Sequence, residues 1–152
     1  LRDLSGELSF FWTERKGLIF SVKNFIRRFE IIYKIPVNIL LPNNFKEING
    51  FQGLILFRVI QEALYNIGKH SKAKKAKIIF KKCDGMLLIT IEDNGTGFNL
   101  QKTLEGAFFN DNLGLVFMKE KIKSLKGKIE IRSLIGKGTK IKIFIPYNSL
   151  TE

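Results

Sequence analysis

At 152 residues, 45% of them hydrophobic, the chain is the size of one domain and large enough to bury a real core. One cysteine and one histidine exclude an internal disulfide and leave zinc sites, serine triads and papain-like sites without support. The formal net charge of +12 draws phosphate-bearing partners, and no apolar run approaches the roughly 18 residues of a membrane span.

The first periodic segment runs from Leu18 to Ile32, where Leu18, Val22, Phe25, Ile26, Phe29 and Ile32 recur at helical spacing. Between Pro36 and Pro42 the apolar positions Val37, Ile39 and Leu41 alternate, which predicts a short edge strand. A second helix is expected from about Phe51 to Lys69. It turns Leu54, Phe57, Ile60, Leu64 and Ile67 to the core, and the polar row Glu62, Asn66 and His70 to a cleft. Strands follow at Ala76 to Lys82 and Met86 to Glu92, joined by the turn Cys83-Asp84-Gly85. Cys83 reads as an ordinary strand-end residue, with no base candidate nearby in sequence.

Asn99 to Leu113 shows neither period and is expected to be a loop. Leu115 to Lys126 predicts a helix with Met118, Ile122 and Leu125 on one face and Gly127 closing it. The last strands are Lys128 to Leu134 and Thr139 to Pro146, joined through Gly136-Lys137-Gly138. Many lysines alternate with isoleucine, as in Lys140-Ile141-Lys142-Ile143, the pattern of a sheet with one solvated face. These elements predict an α+β fold: a two-layer α/β sandwich with a mixed, mainly antiparallel sheet covered by helices on one face.

Three polar blocks interrupt this apolar periodicity. Asp93 to Phe98, reading DNGTGF, follows a strand and packs an acid, an amide and two glycines into a loop that lets the backbone approach a ligand closely. Alone it is a plain turn. Upstream, in RVIQEALYNIGKHSKA, Glu62, Asn66 and His70 project from one side of a helix. Downstream, Gly114 opens a helix whose free amides and positive dipole end make a phosphate site, and the Gly136 to Thr139 turn follows.

In this order the blocks resemble the N, G1 and G2 boxes of the GHKL ATPases. The likeness is strongest to the ATP-binding domain of two-component sensor histidine kinases, which carries the Bergerat fold. Gly114-Leu115-x-x-Met118-Lys119-Glu120-Lys121 is similar to the branch of the DegS, NarX and DesK kinases. The resemblance covers Arg58 to Pro146 well and the rest more loosely.

The resemblance implies ATP and Mg2+ as ligands. Asp93 is then the acceptor for the adenine amine, assisted by the Thr139 hydroxyl, while Gly95, Gly97 and Phe98 form the loop against the base. Gly114 and Leu115 begin the helix that receives phosphates, and Lys69 and His70 reach the phosphates from the end of the upstream helix. Asn66 supplies a neutral oxygen to Mg2+. Glu62, one turn earlier, polarises the incoming nucleophile or orders the metal shell. Asn99 to Asp111 becomes the ATP lid.

His70 is followed by Ser71 and Lys72 rather than an acid and lies inside the nucleotide block, so it is not the phosphoacceptor. Leu1 to Ser9 resembles the end of the helical phosphoacceptor domain. Residues 1–15 are therefore expected to be its remnant or linker, and 16–150 the catalytic domain. The implied reaction moves the ATP γ-phosphate to a histidine on an upstream dimerisation domain, for relay to a response regulator. The implied parent is a homodimer, this piece a monomer in the cytoplasm, and membrane anchoring of the parent stays open. Two alternatives stay open as well: a GHKL protein-serine kinase or simple ATPase, and a basic nucleic-acid-binding module.

Overall fold

The structure, a computed structural model, describes residues 15–101 and 113–147. Its main elements are α1 (Gly17–Tyr33), β1 (Val37–Leu40), α2 (Gly50–Asn66) running into a π-helical turn (Ile67–Ser71), β2 (Ala76–Cys83), β3 (Met86–Asp93), α3 (Leu113–Ser124), β4 (Lys128–Ser133) and β5 (Thr139–Pro146). The segment 102–112, which holds most of the expected lid, and residues 1–14 lie outside the described residues.

The five strands form one sheet in the order β1-β2-β3-β5-β4. β1 runs parallel to β2 and the other pairs are antiparallel, so the sheet is mixed as expected and β1 is an edge. Alternation along each strand sends one set of side chains to the helices. Ile78, Ile91, Ile141 and Ile131 form one cross-strand row, and Phe80, Ile89, Ile143 and Ile129 the next. The helices cover this face with Leu18, Val22, Phe25 and Phe29 from α1, Phe57, Ile60 and Leu64 from α2, and Met118 and Ile122 from α3. Phe25 meets Phe57 edge to face at 6.3 Å, an arrangement that suits ring quadrupoles. The result is the two-layer α+β sandwich that the periodicity predicts.

Local chemistry sets the element ends. The Glu47 carboxylate accepts the amides of Ile19 (2.5 Å) and Phe20 (3.2 Å), capping the start of α1 from 27 to 28 residues away. Asp84 and Gly85 both have positive φ (50° and 74°), the requirement of the tight turn that links β2 to β3.

Three details differ from expectation. The helix expected to reach Lys69 leaves α geometry after Asn66 and widens into a π turn. Leu54 is half-buried while Leu56 is fully buried, because α2 packs against both α1 and α3 and buries a broader arc than one stripe. Lys126 (φ 58°), not Gly127, takes the left-handed position after α3. The amides of Lys126 and Gly127 close back on the carbonyls of Lys123 (2.9 Å) and Ile122 (3.0 Å). Gly127 is small for another reason: a Cβ there would press on Ile145 and the Phe144 carbonyl.

The uncovered face carries Lys77, Lys140 and Arg132, all exposed, in one row with Glu92. Glu92 pairs with Lys77 (2.7 Å) and Lys140 (3.2 Å), contacts that contribute little at the surface.

Candidate functional site

At the C-terminal end of β3 the covered face changes chemistry. The row beyond Ile91 and Ile141 is Asp93 on β3, Thr139 on β5 and Ser133 on β4, three polar side chains in register. β3 and β5 enclose, with α2, its π turn, the DNGTGF loop and α3, a cavity of about 130 Å³. Asn66, His70, Asp93, Gly97, Phe98, Leu115 and Thr139 line it, so seven of the expected residues meet there from four separated stretches of chain. Ala63, Ile67, Ser71, Ile91 and Ile141 complete the wall. This combination of an apolar slot and few polar groups is the ordinary form of a small-molecule site.

The DNGTGF loop is tied down on both sides. Asp93 Oδ1 accepts the Gly95 amide at 2.7 Å. Asn94 Oδ1 accepts the amides of Lys74 (2.9 Å) and Lys75 (3.1 Å). The Thr96 amide donates to the Ser71 carbonyl at 2.7 Å, and the Gly136 amide to the Thr96 carbonyl at 2.6 Å. The π turn thus delivers Ser71 as the anchor of the loop. Such turns recur at functional sites.

Gly97 has φ 64°, and a Cβ there would strike the carbonyl oxygens of Leu134 and Gly138. Gly97→Ala is expected to cost about 2–4 kcal/mol through left-handed strain and backbone collision. That lowers the melting temperature by roughly 5–15 °C in a chain of this size. A circular-dichroism melt within about 2 °C of the parent's would contradict this, since that shift amounts to under about 1 kcal/mol.

Burial pushes the Asp93 carboxyl above its ordinary value, although the backbone amides of Gly95 and Thr139 donate to it and pull the other way. A half-buried carboxylate with lone pairs left over is a strong acceptor for an amine. Burial likewise raises Glu62, against the attraction of Lys121 and Lys69.

Four expected residues lie outside the cavity wall. The Glu62 carboxylate packs against Gly114 at the start of α3, where a Cβ would collide with it. Gly95 sits between Ser71 and Asp93. Lys69 lies 4.4 Å above the Tyr65 ring, a cation–π contact.

Magnesium suits this donor set. Among the described residues no cluster of three His, Cys, Asp or Glu side chains could cage a metal. Mg2+ asks for less, since it keeps several waters and leans on substrate phosphates plus one or two protein oxygens. Asn66 and Glu62, one helical turn apart, offer those oxygens.

A wider groove of about 940 Å³ lies on the uncovered face, lined by Lys75, Lys77, Arg132, Lys137, Lys140 and Lys142. Among the described residues that line it there is no aromatic side chain on which a base could stack.

A polar row closing an apolar slot on a sandwich of this topology defines the class. The family model of the histidine kinase-, DNA gyrase B- and HSP90-like ATPases matches residues 52–149, and the chain belongs to that family. Over 130 residues it is 35% identical to the signal transduction histidine-protein kinase/phosphatase DegS of Brevibacillus brevis, covering 86% of this chain and 32% of that protein. Over 116 residues it is 34% identical to the sensor protein VraS of Staphylococcus aureus, covering 76% and 32%. The chain thus spans about a third of the length of these relatives. Among solved structures, the histidine kinase domain of the blue-light activated kinase EL346 from Erythrobacter litoralis superposes with a TM-score of 0.72 at 18% identity, covering 88% of this chain and 63% of that one. The Acinetobacter baumannii histidine kinase AdeS gives 0.68 at 21% identity, covering 89% and 66%. At such identities these structures establish the shared fold.

Proposed function

We propose that this chain is the ATP-binding catalytic domain of a sensor histidine kinase. It transfers the γ-phosphate of Mg-ATP to a histidine on a helical dimerisation domain of the same protein, from which a response regulator takes it. The observation that carries this is the convergence of Asn66, Asp93 and Thr139 on one cavity. Asp93 accepts the adenine amine, and Ile91, Ile141 and Leu115 sandwich the ring. The phosphates run toward α3, whose start packs against Glu62 of α2. A carboxylate beside phosphates is tolerable only with a cation between them, and Mg2+ bound through Asn66 is that cation. Lys69 and His70, in the π turn that follows α2, reach the phosphates.

Phosphoryl transfer needs little covalent work from the protein, so positioning and charge neutralisation carry the rate. Residues 1–15 are the remnant of the dimerisation domain or the linker from it, and 16–150 form the catalytic unit. The parent is a homodimer with this domain in the cytoplasm. No described helix is long and apolar enough to cross a membrane.

The test is a titration of the chain with a fluorescent ATP analogue, with and without magnesium. Magnesium is expected to tighten binding. Asn66→Ala is expected to weaken it about 10-fold with magnesium and less than about twofold in chelator, an effect of the size of one hydrogen bond to a charged centre. Equal losses in both conditions would remove Asn66 from the metal.

A further inference from the structure

Ser133 lies at the inner end of β4, buried, and its single hydroxyl serves three neighbours. The Phe98 amide donates to Ser133 Oγ at 2.9 Å. Ser133 Oγ lies 2.8 Å from Thr139 Oγ1, with either able to donate. It also reaches the Gly138 carbonyl at 3.3 Å. Residues from the DNGTGF loop, β4 and the β4–β5 turn therefore meet at one oxygen.

A hydroxyl has one proton and two lone pairs. One lone pair of Ser133 is taken by the Phe98 amide, which leaves two arrangements. In the first, Ser133 donates to the Gly138 carbonyl and Thr139 spends its proton on Ser133, so that Thr139 shows the cavity only lone pairs. In the second, Ser133 donates to Thr139, and the Thr139 proton is released toward the cavity that Thr139 lines. The contact given up in the second is the long one: 3.3 Å is beyond the usual range for a hydroxyl donor, whereas 2.8 Å is at its optimum. The exchange between them is therefore cheap.

The base edge decides which arrangement is useful. Adenine places a donor amine beside an acceptor ring nitrogen, N1. With Asp93 accepting from the amine, the neighbouring position must donate. Guanine presents an acceptor and a donor in the reverse order.

We propose that Ser133 is a specificity-determining positioning residue, whose hydroxyl donates to Thr139 so that Thr139 can donate to N1 of the base, directly or across one water. This rests on the adenine reading of the Asp93 pocket. Ser133 does not itself touch the nucleotide; it sets what Thr139 has to offer.

The experiment measures binding of ATP and of 1-deaza-ATP, in which C–H replaces N1, to the chain and its variants. Ser133→Ala is expected to weaken ATP about 10-fold and 1-deaza-ATP less than twofold, and Ser133→Thr to restore ATP binding. In a Thr139→Ala background, Ser133→Ala should cost nothing more. If Ser133→Ala weakens both nucleotides equally, the hydroxyl only props the loop and the proposal fails. If it weakens neither, the proposal fails outright. Should Ser133→Ala not fold by circular dichroism, Ser133→Cys, a far weaker donor at the same place, is read by the same criteria. Asp93→Ala is run alongside: if that variant binds ATP like the parent, the adenine reading is at fault, whereas its loss together with an indifferent Ser133→Ala refutes only the relay.

Discussion

Asp93→Ala is expected to lower the affinity for ATP on the order of 100-fold, with the domain still folded. A hydrogen bond from the adenine amine to a half-buried carboxylate is worth about 1.5–3 kcal/mol, and few compensating waters can enter a slot walled by Ile91, Ile141 and Leu115. Removing the side chain also frees the amides of Gly95 and Thr139, which now donate to it, and loosens the loop that should face the base. A fluorescent ATP titration with a parallel melt checks both halves. Parent-like affinity in a folded variant would mean that the base lies elsewhere. A variant using the positive charge on nucleic acid instead would ignore this substitution and respond to salt.

Glu62→Gln is expected to act on the chemical step. A group that accepts or orients a proton in the transition state contributes about 10²–10⁴-fold, and glutamine keeps the shape while losing the charge. Transfer of labelled γ-phosphate to the proposed dimerisation domain of the parent protein should fall about 10²–10³-fold on that basis, with ATP affinity changed less than threefold. An equal fall in affinity would reassign Glu62 to ground-state binding. The same substitution has a stability signature. Burial raises the Glu62 carboxyl above its ordinary 4.5, outweighing Lys121 and Lys69. A raised folded-state value means that the stability is present below the unfolded value and is lost as pH climbs through the folded one. The parent should therefore melt lower at pH 8 than near pH 5 by more than Glu62→Gln does, in differential scanning fluorimetry. Identical slopes would show that Glu62 ionises as freely in the fold as outside it.

The layers of this fold are legible in the sequence because period and burial agree. Leu18, Val22, Phe25 and Phe29 repeat as a helix must, and Ile141, Ile143 and Ile145 alternate as a half-covered strand must. Helix ends were less legible. The π turn after Asn66 has no residue signature, and the left-handed position that ends α3 falls on Lys126, while the conspicuous Gly127 answers to packing against Ile145 and Phe144. The site was readable where the residues were conspicuous. Asp93, Asn66 and Thr139 stand out as polar groups in apolar settings, and they share a cavity.

The slot's apolar wall was not readable, because Ala63, Ile67, Ile91 and Ile141 look like any core residues until the polar row beside them is in place. Ser133 was missed for a similar reason, as one more strand residue. Parity would have found it. Ile129, Ile131 and Ser133 share a face, and a serine at the inward end of that series sits level with Asp93 and Thr139.

The strand order has a consequence during synthesis. β5, the last of the described strands to be synthesised, inserts between β3 and β4. Until Thr139 to Pro146 emerges, β4 has no neighbour among the described strands and the adjoining edge of β3 stays unpaired. A nascent chain stalled short of residue 139 holds Glu62, Asn66 and Asp93 already, yet lacks the strand that closes the slot.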